Sequence, residues 1–304
     1  MSHRLAATRV VMWLLVAVTC IAAASSRASA FCREQPNTPP DGPCVEDPDK
    51  PFLFWDRGCF TYKFNENFFV RVPGLSEQAA RDIFTDSFAT WTQLDPQAER
   101  FYVEQFAGTT ATSKAEFLRD VTNEAVINAR TAQEWQALPG HHPRVVALTL
   151  LWHDRVTGEI LDVDMDLNLG IGRFVDCSLQ TCRAGMIDLQ NTITHEAGHV
   201  FGLGHSDVPN STMVFSTGDN LSETGKRSLA EDDIEGYHSL ELPAWKCDRP
   251  PCVCPPPPVL PSKRVQTCGC RSLGSGAAIP RWSLAWLAAI VWFARRRGLV
   301  RSHN

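Results

Sequence analysis

The chain has 304 residues, 44% hydrophobic and 21% charged, proportions of a globular protein with room for one substantial domain plus appendages. The net charge of −5 is unevenly spread: residues 1–30 and 271–304 hold arginines and no acids, so all 34 acids lie in 31–270, against 20 bases. An acidic body argues against a nucleic-acid partner, which requires a basic face.

Residues 1–30 read as a secretory signal peptide. Arg4 and Arg9 form the positive start, Val10 to Ala24 the apolar run, and Ala28-Ser29-Ala30 a cleavage site that leaves Phe31 first. The run is short for a retained membrane span. Cys20 goes with it. Eight cysteines lie in the body (Cys32, Cys44, Cys59, Cys177, Cys182, Cys247, Cys252, Cys254), then Cys268 and Cys270. An even set in an exported chain points to disulfides, with the connectivity left open.

Residues 31–58 are rich in Pro, Asp and Cys and show no strand or helix period. They read as a disulfide-stapled segment ending in an apolar knot, Pro51 to Trp55, that packs on the domain beginning at Cys59. A thiolate from Cys44 reaching the active centre is the competing reading of that segment.

The body, 59–245, opens with the alternating strand Cys59–Phe64. A helix capped by Ser76 comes next, with Ala80, Ile83, Phe84, Phe88, Trp91 and Leu94 at helical spacing toward the core. Phe101–Phe106 and Ala125–Ile127 are weaker strand candidates. Val145–Trp152 is rich in β-formers, Asp154–Gly158 is a turn, and Glu159–Asn168 alternates, which together make a hairpin. Asp162, Asp164 and Asp166 fall on one face of the second strand. Three like charges there predict a solvated edge strand or a calcium site, and that edge is the candidate for pairing with an extended substrate. A loop at 169–187 carries Cys177 and Cys182 at a spacing suited to a local disulfide. Asp188 then caps the next helix, and Ser228 to Glu231 predicts a capping box for a last helix through Leu240.

The chemistry concentrates in HEAGHVFGLGHS, His195–Ser206. Residues four apart share a helix face, so His195 and His199 can hold one Zn²⁺, with Glu196 placed as a general base. Gly202 releases the chain from the helix, and His205 returns as third ligand. A structural zinc site would close its fourth position with another ligand, and none stands at suitable spacing. Met213 comes shortly after, in a tight turn beneath the site. His141, His142, His153 and His238 read as structural or exposed.

From Cys247 to Arg271 the chain is Cys- and Pro-rich, an extended spacer by composition. Trp282–Ala294 is a short apolar run ending at Arg295-Arg296-Arg297, which fits the positive-inside rule with the body outside the cytoplasm.

The motif with its downstream methionine resembles the metzincin zinc peptidases, and Ser206 together with the step to Met213 resembles the matrixin branch. Ala147–Asn168 is similar to that branch's hairpin, and Ser228–Leu240 to its closing helix. The resemblance implies an α+β fold: a metzincin-like catalytic domain with a twisted mixed sheet, an active-site helix and a C-terminal helix. It implies a zinc endopeptidase acting on polypeptide substrates, with His195, His199 and His205 as ligands, Glu196 as general base and acid, Met213 as the Met-turn residue, and often calcium, for which Asp162, Asp164 and Asp166 are candidates. There are departures: no convincing cysteine-switch propeptide, no recognisable second-zinc histidines, and Phe215-Ser216-Thr217 where Pro-x-Tyr is usual. A binding module that keeps the zinc site is the competing functional reading. The Cys268-Gly-Cys270 pair, the apolar run and the arginine cluster (271–304, after a 246–270 spacer) resemble the MYXO-CTERM sorting tag. That resemblance implies sorting and processing machinery, a membrane contact through the C-terminal helix, and display at the cell surface (outer membrane) or release.

Overall fold

A computed structural model of the chain describes residues 31–36, 45–94, 102–104, 108–111, 125–215, 223–240, 242–243 and the backbone of 265–271. The signal-peptide segment 1–30, Cys44, most of the 246–270 spacer and the tail from 272 lie outside these residues. Among the described residues no helix is long and apolar enough to cross a membrane.

A twisted mixed sheet forms the upper layer. Its strands are β1 (Cys59–Asn65), β2 (Tyr102–Glu104), β3 (Thr109–Thr110), β4 (Ala125–Arg130), β5 (Val145–His153), β6 (Ile160–Asn168) and β9 (Val265–Arg271). The order is β2-β1-β4-β6-β5-β9, with β3 also on β1. β1, β2, β3, β4 and β6 run parallel, whereas β5 is antiparallel to β6 and to β9. β5 and β6 are the expected hairpin. Its turn is closed by Asp154, whose Oδ1 accepts from Val156 N at 2.8 Å, and by Gly158 at φ +85°. A two-stranded parallel pair, β7 (Arg173–Val175) with β8 (Met186–Asp188), lies in the loop before the active-site helix.

The helices are α1 (Phe68–Arg71), α2 (Glu77–Thr92), α3 (Ala132–Ala137), α4 (Leu189–Phe201) and α5 (Glu231–Ser239). Ser76 caps α2 as expected, its Oγ accepting from Ala79 N at 3.1 Å. The apolar stripe Ala80, Ile83, Phe84, Phe88 and Trp91 is buried. Phe84 and Phe88 meet Tyr62 of β1, and Trp91 Nε1 donates to Thr194 O on α4 at 2.8 Å, which locks α2 to α4. The apolar knot packs as expected. Leu53 and Trp55 are buried, and Trp55 Nε1 donates to Val200 O at 2.8 Å. The Cys177–Cys182 disulfide is present. Cys32 and Cys59 are also disulfide-bonded.

Two expectations are corrected. β6 is not an edge strand: it lies between β4 and β5, and every residue of it is buried. Asp164 and Asp166 are met by groups inside the protein. Asp164 accepts from Val126 N at 3.0 Å, and Asp166 meets Asn128 Nδ2 at 2.9 Å, Arg130 Nη2 at 3.0 Å and His141 Nε2 at 3.0 Å. Strict alternation of polar and apolar residues fits either arrangement, because a buried carboxylate is tolerated where a cation and donors meet it. The expected capping box is also displaced. α5 begins at Glu231 with Ala230 as N-cap, and Asp233, not Glu231, reaches back to accept from Ala230 N at 2.8 Å.

Candidate active site

α4 carries the site. Asp188 caps it, accepting from Asn191 N at 2.7 Å, and Arg227 donates to the same carboxylate as well as to Asp176 and Gln190. Burial pushes the Asp176 carboxyl up, but its bonds to Arg227 and Ser178 prevail and hold it below its ordinary value. The helix ends at Gly202, whose φ of +107° is the left-handed conformation a side chain resists. From there the chain turns back through Leu203 and Gly204 to His205. The N-terminal segment braces this turn: Glu34 N donates to Gly202 O and Gly204 N to Cys32 O, both at 2.8 Å.

His195, His199 and His205 converge, with one ligand atom from each lying within 4.8 Å of the others. All three are buried. His195 Nδ1 bonds to Thr212 O at 2.6 Å and His199 Nδ1 to Leu203 O at 2.7 Å. A carbonyl only accepts, so both Nδ1 atoms carry the proton and both Nε2 atoms keep a lone pair. Those Nε2 atoms face each other at 3.2 Å. The Nε2 of His205 is buried with no hydrogen-bond partner among the described residues. Two opposed lone pairs and an orphaned third nitrogen are repulsive or costly alone. A cation between them resolves all three, and an all-imidazole set suits Zn²⁺.

The electrostatics agree. Burial lowers the His199 pKa to about 3, with Lys226 adding to the effect. Burial likewise holds His195 and His205 well below the ordinary value, followed by Lys226 and the neighbouring imidazoles for His195 and by the imidazole of His199 and then Lys226 for His205. Neutral imidazole is the ligating form. Lys226, buried, donates from Nζ to Val214 O at 2.6 Å and lies 3.3 Å from His195 Nδ1.

Glu196 is fully buried beside the cluster. Thr149 of β5 donates from Oγ1 to Glu196 Oε2 at 2.7 Å, fixing the carboxylate from the sheet side. Sequence reasoning passed over Thr149, since nothing in a β-rich run marks one threonine.

Met213 is buried under the helix. A Cβ added at Gly198 would lie 2.3 Å from its Sδ, so the glycine inside the motif is the space the methionine fills. Asp233 organises that turn, its carboxylate accepting from Thr212 N at 2.7 Å and Met213 N at 3.0 Å. Burial raises its pKa above the ordinary carboxylate value despite these bonds. Asp233 was also missed, and its one trace in sequence is its place near the start of α5. Ser206 Oγ donates to the neighbouring Asp232 at 2.6 Å.

The remaining candidates lie elsewhere. His141 pairs with Asp166, His153 is buried with Nδ1 near Asp154 O, and His142 and His238 are exposed. Among the described residues, His195, His199 and His205 are the one group of three or more such side chains able to converge on a metal ion, and Asp162, Asp164 and Asp166 form no such group.

The sequence matches the family described as matrixin (Peptidase_M10) over residues 54–241, more than half of the chain. Two relatives from Arabidopsis thaliana are similar over shorter stretches. Metalloendoproteinase 5-MMP is 44% identical over 57 residues, 18% of this chain and 14% of its own. Metalloendoproteinase 2-MMP is 38% identical over 80 residues, 26% of this chain and 19% of its own. This chain thus covers under a fifth of either relative's length. The match takes in β1 to β8, the motif helix and α5, and the chain belongs to the matrixin family.

Proposed function

We propose that the protein is an exported zinc-dependent endopeptidase. The observation that carries this is the opposed pair of Nε2 lone pairs, 3.2 Å apart, beside a buried carboxylate held by Thr149. His195, His199 and His205 would hold the ion, which when bound supplies Lewis-acid polarisation of the scissile carbonyl and makes water more acidic. Glu196 takes the proton from the attacking water as general base, then delivers it to the leaving amine as general acid. The Thr149 hydroxyl keeps the carboxylate aimed through both transfers. The imidazoles stay neutral through burial, and the Nδ1 bonds to Thr212 and Leu203 fix their orientation.

Export is supported by the leader-like composition of residues 1–30 and by the Cys177–Cys182 disulfide, a bond that persists in oxidising compartments. A surface-sorting tail is supported by the composition of 271–304 alone. Calcium stays outside this reading, since Asp166 is spent on Arg130 and His141.

The test is digestion of a denatured protein by the mature chain, read by mass spectrometry. Cleavage should vanish with a chelator and return with added Zn²⁺. Zinc binding without cleavage of any denatured substrate would assign the fold to a binding module instead.

A further inference from the structure

The spacer expected between the body and the tail contains β9, and β9 is docked on the body. Val265–Arg271 pairs antiparallel with β5 along most of its length, from Trp152 opposite Val265 to Val145 opposite Arg271. β5 would otherwise be the edge of the sheet, its other side being taken by β6. The strand also runs alongside α4, the helix that carries the motif. In this register Cys268 stands opposite Thr149, the residue that holds Glu196.

An extended polypeptide is recognised by adding a strand to an open sheet edge. The edge beside Glu196 is that of β5, and the chain's own segment already occupies it. We infer that Val265–Arg271 is an internal occupant of the substrate edge, which keeps the enzyme latent until the connection between strand and body is severed. The inference rests on the endopeptidase reading for its consequence, though not for the pairing itself. Tethering places the strand at an effective concentration on the order of millimolar, which a dilute substrate does not match. The competition is for backbone hydrogen bonds, so it does not depend on the two cysteines.

The experiment uses the full chain with a site-specific protease site inserted at Pro255–Pro258, cut after folding, with the released segment removed by gel filtration. Hydrolysis of a fluorogenic peptide should rise at least tenfold on cutting. The gain should lie in KM, with kcat unchanged, and added synthetic Val265–Arg271 peptide should restore competitive inhibition. Hydrogen exchange of Val145–Trp152 should rise in parallel. A Gln266→Pro/Thr267→Pro double variant, in which one of the two adjacent amides must face β5, should reproduce both effects without cutting, and a Cys268→Ser/Cys270→Ser double variant should stay latent. Exchange and KM both unchanged after removal of the segment would overturn the inference. So would loss of latency in the double serine variant with the β5 amides still protected, which would assign the block to the thiols. If no form cleaves any peptide, the endopeptidase reading fails, and the exchange data alone decide whether the segment covers the edge.

Discussion

Two buried polar clusters flank the core, and they differ in how their charges are resolved. Around Asp166, a carboxylate meets a guanidinium, an imidazole and an amide, so its charge is met within the chain, although Asn128 Oδ1 is buried with no hydrogen-bond partner among the described residues. Around His199, three neutral imidazoles converge with their lone pairs on one another, and among the described residues the Nε2 of His205 has no hydrogen-bond partner. A cluster that pairs its own charges holds a fold together. A cluster that does not is waiting for something from outside the chain. Burial and the presence of histidine do not tell them apart, since both have these; the pairing of opposite charges does.

The comparison can be broken most severely at the metal side. His199→Ala should remove stoichiometric zinc and reduce peptide cleavage by about 10⁴-fold or more, because polarisation and proton transfer are lost together. Metal analysis and a fluorogenic assay check this. At the other cluster, Asp166→Ala leaves Arg130 buried without its partner and should destabilise the protein by about 3–5 kcal/mol in denaturant unfolding. Zinc stoichiometry in the surviving folded fraction should not change.

Gly198→Ala tests the link between helix and Met turn. The added carbon collides with Met213, and overpacking of this kind costs about 1–3 kcal/mol. Thr149→Val should lower kcat about tenfold with KM little changed, the loss of one hydrogen bond to a charged group. Steady-state kinetics separate the two parameters.

Acid should separate the clusters by range. The histidines have folded pKa values below the unfolded value of about 6.5, so the unfolded metal-free chain binds protons first. Stability of the metal-free protein should therefore be full above about pH 6.5 and decline as the pH falls toward the His199 pKa of about 3. Burial alone would raise the Asp166 pKa, but the His141 hydrogen bond and Arg130 hold it below its ordinary value. Its contribution is present above about pH 4 and is lost only as the pH falls through that lowered value. Zinc should protect against the first loss and leave the second in place, as thermal unfolding across pH would show.

Most of the site was legible because its constraints are local. The four-residue step, Gly202 as left-handed terminus and Asp188 as cap are fixed by helix geometry alone. The sheet was legible as strands but not as an order. Asp162, Asp164 and Asp166 alternate as on a solvated face, and the partners of Asp164 and Asp166 come from β4 and from His141, well removed in sequence. Ser228 offered a good cap three residues before Glu231, yet the helix starts where Asp233 can also hold Thr212 and Met213. Tertiary demand on one carboxylate outweighed local propensity. β9 was invisible for the same reason: its sequence reads as spacer, and only the edge of β5 makes it a strand.

The most direct test is Glu196→Ala, with metal content and cleavage measured on one preparation. A general-base role for Glu196 predicts one zinc per chain, as in the unmodified protein, and cleavage of denatured substrate lowered by about 10²–10⁴-fold. Cleavage at the unmodified rate by the zinc-loaded variant would contradict it.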